Sequence, residues 1–271
     1  MLITTDASIF EINPKKVIHP SSRNDLIISI RELLKQQQQF TMRAGGTSIG
    51  GQAIGEGVIV DISKHLTNII DFCKNKKEIV VEPGIIQDDL NLFLKPYNLK
   101  FAPDTSTSNR AMIGGMIGNN SCGAYSIFYG TTRDHVKSVE VILSDGGLVE
   151  FKELTTKELD DKLSMQTLEG DIYRFVINLL NNNQQEILDA FPDESLIRRN
   201  TGYALDELIR KYKPFNKNGK RFNLASLICG SEGTLGVIVS ATLNLVNLPK
   251  HKELIVAHFS SDEQSLNLVK D

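Results

Sequence analysis

The sequence has little cysteine and histidine, and neither is arranged as a metal or redox centre. Its three cysteines, Cys73, Cys122 and Cys229, lie far apart and form no CxxC pair, and its five histidines include no HExxH motif. Zinc sites and dithiol redox sites use close pairs of this kind. We therefore predict no metal site. The unpaired cysteines favour a cytoplasmic protein, with peripheral attachment to the inner face of the membrane left open.

Excess positive charge and an export signal are also lacking. The net charge is -3 and the pI is about 6.0, so there is no basic footprint for nucleic acid. Residues 1–6 show no cationic segment leading into an apolar one, so we expect no secretory signal. With 271 residues, 23% of them charged and 41% hydrophobic, the composition is that of a globular protein that buries a sizeable core.

The first informative motif is a glycine-rich loop. Residues 43–52 read Arg-Ala-Gly-Gly-Thr-Ser-Ile-Gly-Gly-Gln, with four glycines and two hydroxyl residues. Glycine permits a left-handed backbone and lets the chain approach a ligand closely. Successive N–H groups in such a turn form a concave site for phosphate. We predict that this loop, between a helix and a strand, holds a pyrophosphate; an ordinary surface loop is the alternative.

Two common phosphate motifs do not fit this loop. Gly46 and Gly51 have P-loop spacing, but Gln52 and Ala53 follow instead of lysine and a hydroxyl residue. A Rossmann motif needs its glycines between a strand and a helix, whereas this loop is expected to run from a helix into a strand at 58–61. The sequence therefore excludes an NTPase site and argues against a nicotinamide site.

A second block covers residues 102–123 and continues through 129–136. No charged residue occurs from Ala111 to Thr132, but five glycines and two asparagines in this stretch exclude a membrane helix. Uncharged amides and hydroxyls suit a wall against a large, flat, polar ligand. A third block at 229–238, Cys-Gly-Ser-Glu-Gly-Thr-Leu-Gly-Val-Ile, again places small residues where a strand begins.

Together and in this order, the three blocks resemble the flavin-binding domain of the FAD-linked oxidases, the family named after vanillyl-alcohol oxidase and p-cresol methylhydroxylase. The likeness covers residues 15–249 and is greatest to the D-lactate, glycolate and D-2-hydroxyglutarate dehydrogenases. It implies an α+β fold of p-cresol methylhydroxylase type, with FAD between two subdomains at 1–71 and 72–249. Residues 250–271 would begin an α+β substrate cap.

The resemblance also assigns cofactor-binding roles by position. Its pyrophosphate loop corresponds to Arg43, Ala44, Gly45, Gly46, Thr47, Ser48 and Ile49. The segment along the FAD corresponds to Asp104, Thr105, Gly114 and Gly115. The part lining the ribityl chain and ring corresponds to Asn119, Asn120, Ser121 and Cys122. The closing loop and strand correspond to Glu232, Gly233, Thr234, Leu235, Gly236, Val237 and Ile238.

Four of these residues invite a closer interpretation. Thr47 stands where covalent members of the family carry a histidine, so the resemblance implies non-covalent FAD. Cys122 is a candidate attachment or redox residue, but a buried small side chain is the preferred interpretation. Glu232 either orients the backbone or a ribose hydroxyl, or caps local structure. Arg43 either offsets pyrophosphate charge or begins the turn with an exposed side chain.

The implied activity is transfer of a hydride from C2 of a D-2-hydroxy acid to FAD, giving a 2-oxo acid, with an unknown electron acceptor. The alternative is a flavin-binding module without turnover of its own. The flavin reductase of peptidoglycan-precursor synthesis shares the fold, but residues 230–236 favour the hydroxy-acid branch. The catalytic residues stay unassigned, although His135 adjoins the second block. We expect a flavin-binding half that needs a missing C-terminal half or a partner subunit.

Periodicity and turn signals predict the elements that carry these motifs. Ser22 is expected to cap a helix that ends at 36–39, with Leu26, Ile30, Leu33 and Leu34 as its apolar face. Further helices are predicted at 88–94, 171–180, 203–209 and from 260, with Leu266 and Val269 as the face of the last. Strands are predicted at 58–61, 78–82, 139–143, 148–151, 237–245 and 253–259. Residues 200–203 match a family segment or simply begin a helix.

Overall fold

The computed structural model describes residues 3–196, 202–251 and 253–268. Its strands, in chain order, are β1 Lys16–Ile18, β2 Phe40–Arg43, β3 Val58–Asp61, β4 Ile69–Cys73, β5 Glu78–Val81, β6 Leu99–Lys100, β7 Val136–Ile142, β8 Leu148–Lys152, β9 Val237–Asn244 and β10 Val246–Asn247. Its α-helices are α1 Arg23–Lys35, α2 Gln87–Leu94, α3 Ile113–Asn119, α4 Ser126–Tyr129, α5 Thr156–Ser164, α6 Leu168–Asn182, α7 Gln184–Ala190, α8 Leu205–Lys211, α9 Ala225–Ile228 and α10 Asp262–Leu268. Two 3-10 turns lie at Lys95–Tyr97 and Thr132–His135.

The N-terminal part forms a small parallel sheet in the order β1-β3-β2. Strands β1 and β2 lie on either side of β3 and are both parallel to it, and α1 connects β1 to β2 along the chain. The Ser22 side chain caps α1 by accepting the Asp25 N–H at 3.2 Å. The buried face of α1 packs with Val58 and Val60 of β3 in one apolar cluster. The glycine-rich first block then connects β2 to β3 along the chain.

A second, antiparallel sheet has the order β4-β5-β9-β7-β8. The hairpin of β7 and β8 pairs Val141 with Val149. Along β9 the burial alternates, because successive side chains of a strand point to opposite faces. Val237 and Val239 join the cluster formed with α1, whereas Ala241 and Leu243 belong to the larger core. The central strand therefore contributes to both apolar clusters.

Helix α3 lies within the uncharged second block. Ile113, Met116 and Ile117 are buried, which leaves the glycines and Asn119 on its other sides. The chain enters the helix through backbone bonds, with the Ile113 N–H donating to Ile85 O at 3.0 Å and the Gly114 N–H donating to Pro83 O at 2.7 Å. The second block is therefore anchored on its inner side and open on the other.

Most predicted elements are confirmed, with bounds shifted by a few residues. The helices found at Arg23–Lys35, Gln87–Leu94 and Leu168–Asn182 correspond to predicted ones, as do the strands around 58–61, 78–81, 136–152 and 237–244. The mixed helix and sheet content agrees with the predicted α+β class. The two-subdomain division stays a prediction, and β4, which contains its boundary at residue 71, pairs with β5.

Two predictions are wrong. The first block does not follow a helix directly, because β2 lies between α1 and the loop and pairs with β3. Residues 253–259 are not a strand: within the described residues they have no hydrogen-bonded neighbour, and Leu254, Ile255 and Val256 are exposed. Asn200, Thr201 and Val269 lie outside the described residues. Within the described part of the chain, no helix has the length and hydropathy needed to cross a membrane.

Candidate functional site

The three glycine-rich blocks meet around helix α3. A Cβ placed on Gly115 would lie 3.4 Å from the Cβ of Ala44, so the first block runs beside the helix. At the end of α3 the Gly230 N–H donates to Ile117 O at 2.9 Å, and the Glu232 N–H donates to Gly118 O at 2.9 Å. The third block is therefore fixed to the second by backbone hydrogen bonds. Blocks far apart in sequence form one junction.

The outer side of this junction carries small and polar groups. Gly115, Asn119, Glu232, Gly233 and Thr234 are all exposed. The Asn119 amide donates to Glu232 Oε1 at 2.8 Å, and the Asn119 Oδ1 accepts the Ser121 hydroxyl at 3.1 Å. A chain of orientable polar groups therefore crosses from the second block to the third.

The first block is a tight loop with left-handed glycines. Gly46 has φ +60° and is buried, and Gly51 has φ +84°. The Ser48 hydroxyl and the Gly50 N–H both donate to Gln52 Oε1. Thr47 is half-buried and Ile49 is 84% exposed. The loop therefore has the positive-φ backbone expected of a phosphate-binding turn.

Arg43 is not the exposed turn residue that one interpretation proposed. It is buried, and its Nη1 donates to Ala53 O at 3.0 Å and its Nη2 to Thr5 O at 2.8 Å. Burial lowers the pKa of its guanidinium, and the nearby Asp61 and Asp6 oppose that shift. The side chain therefore fastens the far end of the loop and the N-terminal segment to β2, so its demonstrated contacts are structural.

Asp104, Thr105 and Gly114 also make contacts with other parts of the protein. Asp104 Oδ1 accepts the Tyr125 N–H at 3.1 Å, and the Thr105 hydroxyl donates to Gln87 Oε1 at 3.0 Å. A Cβ on Gly114 would lie 2.7 Å from the Pro83 Cβ, so this glycine faces inward while its neighbour Gly115 faces outward. Of the four residues predicted along the FAD, Gly115 is the exposed one.

The segment after α3 turns inward. Asn120 is fully buried with φ +52°, and its Oδ1 accepts the Arg133 N–H at 2.9 Å. The Ser121 carbonyl accepts both the Thr132 N–H and the Thr132 hydroxyl, at 3.0 and 2.7 Å. Cys122 is half-buried. Asn119 and Ser121 are therefore the members of this group whose side chains join the exposed polar chain.

The third block has an exposed part and a part that belongs to the sheet. Glu232, with φ +51°, begins an exposed turn that continues through Gly233 and Thr234 to Leu235. Gly236 packs near Val141 and the Ile142 carbonyl, and Val237 and Ile238 begin β9. The turn therefore belongs to the junction, and the last three residues belong to the sheet. Burial raises the pKa of the nearby Cys229 thiol to about 12, which disfavours a reactive thiolate there.

His135 and His19 bond to residues outside the junction. His135 is buried, its Nε2 bonds to Tyr129 O at 2.7 Å, and its ring packs edge-on near Phe101. His19 pairs with Asp61 at 3.2 Å beyond the end of β1. Among the described residues there is no group of three or more potential metal ligands. The geometry therefore assigns no catalytic base.

Two residues at the junction were absent from the predicted set. The Tyr203 hydroxyl lies 2.8 Å from Thr234 Oγ1, and Arg133 bonds to the carbonyls of Ser226 and Cys229. Tyr203 belongs to residues 200–203, which by sequence match a family segment or begin a helix. Arg133 is the first charge after the uncharged stretch that ends at Thr132, which is the sequence signal that could have selected it.

The turn that carries Arg133 depends on the charge of Asp134. Its carboxylate accepts the Thr131 N–H at 2.8 Å and the Thr131 hydroxyl at 3.0 Å, and Lys211 Nζ lies 3.6 Å away. Burial alone would raise the pKa of Asp134, but the Thr131 bonds and Lys211 outweigh burial and the pKa is lowered. The ionised form therefore stabilises the fold above the unfolded pKa, about 4, and this stabilisation is lost as pH falls through the folded pKa.

We expect Asp134→Asn to destabilise the protein at pH 7 and to differ less from the parent as pH falls below about 4. Urea unfolding of both proteins between pH 3 and 7 measures this difference. Asp160→Asn, which removes an exposed carboxylate on α5, is the matched control and should show a small difference throughout. A gap between Asp134→Asn and the parent that stays constant over this range would contradict the prediction.

Comparison with known proteins identifies the family of this chain and its cofactor. The family described as "FAD binding domain" matches residues 14–152, just over half of the 271 residues. The chain belongs to this family. The resemblance based on the three blocks is thereby confirmed, and FAD is the cofactor of the domain.

Several curated relatives align over nearly the whole chain. D-2-hydroxyglutarate dehydrogenase of Escherichia coli is 36% identical over 269 residues, which are 98% of this chain and 26% of that protein. Glycolate oxidase subunit GlcD of Bacillus subtilis is 25% identical over 97% of this chain and 43% of its own. A mitochondrial D-lactate dehydrogenase [cytochrome] of Saccharomyces cerevisiae is 24% identical over 93% of this chain and 33% of its own. The chain spans about a quarter of the D-2-hydroxyglutarate dehydrogenase.

A solved structure supports the fold. Alkyldihydroxyacetonephosphate synthase superposes with a TM-score of 0.57 at 16% identity, covering 87% of this chain and 34% of its own. At 16% identity this likeness concerns the fold alone.

Proposed function

We propose that the junction around α3 binds FAD without a covalent bond. The first block, from Ala44 to Ile49, would hold the pyrophosphate, and Gly115 with Asn119 would face the rest of the cofactor. The turn at Glu232 and Thr234 would close the far side. Thr47 stands where covalent relatives carry a histidine, and this substitution supports the non-covalent form.

The observation that carries this proposal is the meeting of three distant blocks on one open, nearly uncharged face. A Cβ on Gly233, at φ +77°, would have no described atom within 4 Å, and Gly115 beside Ala44 is exposed. A face without side-chain bulk lets a large planar ligand contact the backbone. The Asn119 amide and the hydroxyls of Ser121 and Thr234 can bond to a polar ring edge or ribityl chain. The residues present therefore fit FAD.

Non-covalent binding predicts that denaturation frees the flavin. Purified protein loaded with FAD is precipitated with acid, and the absorbance of supernatant and pellet is measured. We expect the flavin in the supernatant, because no covalent link would hold it to the unfolded chain. Flavin retained in the pellet would contradict the non-covalent form. Folded protein that cannot take up FAD would overturn the proposed site.

We further propose that the chain is the FAD-binding part of a dehydrogenase or oxidase for D-2-hydroxy acids. The fold would be the two-subdomain p-cresol methylhydroxylase type, with FAD between residues 1–71 and 72–249 and a substrate cap beginning at 250. Relatives named for D-2-hydroxyglutarate and D-lactate align over almost the whole chain, which supports this substrate class. The cysteines form no disulfide, which supports a cytoplasmic location.

In this reaction the substrate loses a hydride from C2 and a proton from its hydroxyl, leaving a 2-oxo acid. Bound FAD supplies the hydride-accepting chemistry. The protein would orient the flavin and cover one of its faces, and in this proposal the backbone wall of α3 and the turn at Glu232 would do so. The acceptor of the hydroxyl proton is not assigned, since His135 is buried and already bonded to Tyr129 O.

A flavin-binding module without turnover is the second candidate, and it is favoured because His135, the histidine beside the second block, is buried and already bonded to Tyr129 O. General-base catalysis contributes about 10²–10⁴-fold to rate, and substrate positioning contributes further; neither has an assigned residue here. We therefore expect FAD-loaded protein under anaerobic conditions to bleach no faster than free FAD with D-2-hydroxyglutarate, D-lactate or glycolate. Flavin absorbance over time measures this, with dithionite as the positive control. Rapid bleaching by D-lactate but not L-lactate would instead show that the catalytic groups lie within this chain.

A further inference from the structure

Arg133 contacts both the second and the third block. Its Nε donates to the Ser226 carbonyl at 3.0 Å, and its Nη2 donates to the Cys229 carbonyl at 2.6 Å. Its own N–H donates to Asn120 Oδ1 at 2.9 Å. A single residue thus bonds through its backbone to the segment after α3 and through its side chain to the start of the third block.

The chemistry of these contacts requires a guanidinium. Helix α9 is a single turn in which Ser226 is the second residue and Cys229 is the C-cap, so both carbonyls belong to the last four of the helix, which lack intrahelical partners and attract positive charge. Both residues are buried, so their carbonyls would be costly to leave without a donor. The planar fork of arginine reaches two acceptors at once, whereas the ammonium of lysine is a single point charge. Arg133 therefore fixes the end of α9.

This end of α9 leads directly into the exposed turn of the junction. Gly230 follows Cys229 with φ +91°, and a Cβ there would lie 3.0 Å from Arg133 Nη2 and 3.5 Å from the Asn120 Cβ. On its other side the Gly230 N–H donates to Ile117 O at 2.9 Å. Gly230 is therefore held between Arg133 and α3, and its position sets where Glu232 meets Asn119.

We propose that Arg133 is a positioning residue that sets the turn at 230–234 against α3 and so shapes the FAD-binding face. This role rests on the proposed binding of FAD at the junction. Arg133 acts through the carbonyls it holds, and Glu232 and Asn119 form the surface that would meet the cofactor. The consequence is that loss of Arg133 changes how FAD is held, in addition to any effect on stability.

The test compares the parent with Arg133→Gln and with Arg174→Gln. Arg174 on α6 is the matched control, because it also donates to two backbone carbonyls, Leu163 O and Met165 O, both at 2.7 Å, but these lie at the corner between α5 and α6. For each protein, FAD affinity is titrated, unfolding without FAD is measured, and the visible absorption and circular dichroism of the flavin are recorded at saturating FAD. We expect Arg133→Gln to weaken FAD binding about tenfold or more and to alter the dichroism of bound flavin. Arg174→Gln should lower stability while retaining parental affinity and dichroism.

The outcomes separate this role from the proposed function. A parent that binds no FAD would overturn the proposed function, and the role of Arg133 with it. A parent that binds FAD, with Arg133→Gln matching it in affinity and dichroism, would overturn the role alone. Equal losses of affinity in both arginine variants would also overturn it, because the effect would then be one of general stability. If Arg133→Gln does not fold, Arg133→Lys serves instead, and parental affinity and dichroism in that variant would overturn the role.

Discussion

Replacing Gly115 by valine should weaken FAD binding about tenfold to a hundredfold while leaving the FAD-free fold nearly as stable as the parent. Gly115 is exposed on α3, and the nearest described atom to an added Cβ is the Ala44 Cβ at 3.4 Å, an ordinary contact. The folded chain can therefore accept the side chain. A ligand lying on the open face of the junction cannot, because the new methyl groups occupy the space where it would meet the helix backbone.

The variant Gly115→Ala separates an effect on FAD binding from an effect on stability. Glycine inside a helix costs about 0.5–1 kcal/mol relative to alanine, so Gly115→Ala should make the FAD-free protein as stable as the parent or more stable. The same variant should still bind FAD more weakly, though less so than Gly115→Val. Titration of flavin fluorescence gives the affinities, and urea unfolding gives the stabilities.

A matched control places the same valine on another exposed helix. Asn181→Val on α6 adds branched bulk to an exposed helical position outside the three blocks and should leave FAD affinity unchanged. Parental FAD affinity in Gly115→Val would show that the cofactor does not contact this face, and the site would have to be moved away from α3.

The fold could be predicted from sequence where local signals decide it. Ser22 followed by an apolar stripe is enough to specify α1, because the cap and the periodicity both lie within one segment. The four residues of β2 alternate apolar and polar, but a stretch this short is the minimum that indicates a strand. They form a strand because Phe40 to Arg43 pair with β3 in parallel, a partner some 18 residues away in the register Phe40 to Val58. Pairing of this kind is set by the whole fold.

Residues 253–259 are the reverse case, because a strand is predicted there and these described residues form none. Their apolar composition is typical of a strand, yet within the described residues no neighbouring strand pairs with them, and Leu254 is 90% exposed. Strand propensity expresses how well side chains fit a pleated, half-buried surface. Where that surface is not supplied, an apolar stretch does not become a strand.

In the candidate site, too, the motifs could be predicted from sequence and the geometry could not. The glycine-rich blocks could be recognised from sequence, and the family is confirmed. The direction in which each residue faces could not be predicted. Gly114 and Gly115 are neighbours, yet the first packs against Pro83 and the second is exposed. Arg43 begins the phosphate-type loop, but its guanidinium bonds to Thr5 O and Ala53 O. Such roles depend on residues distant in sequence.

Replacing Gly45 by alanine should instead damage the fold, lowering the free energy of unfolding by about 1–3 kcal/mol. A Cβ on Gly45 would overlap the carbonyl oxygen of Arg110, which is backbone and cannot rotate away. The first and second blocks would have to separate. Gly50→Ala in the same loop is the matched control, because the atoms nearest to its added Cβ belong to the side chain of Gln52, which can move. We expect that variant to stay within about 0.5 kcal/mol of the parent; a Gly45→Ala protein of parental stability would contradict the close approach of the two blocks.

Added FAD then distinguishes damage to the fold from damage to the site. A ligand that binds only the folded state stabilises it by RT ln(1 + [L]/Kd), about 2.7 kcal/mol at a hundredfold excess over Kd. Gly45→Ala should have a lower free energy of unfolding without FAD. Added FAD should still raise that free energy, provided that the folded molecules keep the first and second blocks in contact. Gly115→Val should have nearly the parental free energy of unfolding without FAD, and FAD at the same concentration should raise it by less than in the parent. Unfolding curves recorded with and without FAD measure both gains. If Gly115→Val gained as much as the parent while Gly45→Ala gained nothing, the outward face of α3 would be excluded from the site and the first block alone would be left to hold the cofactor.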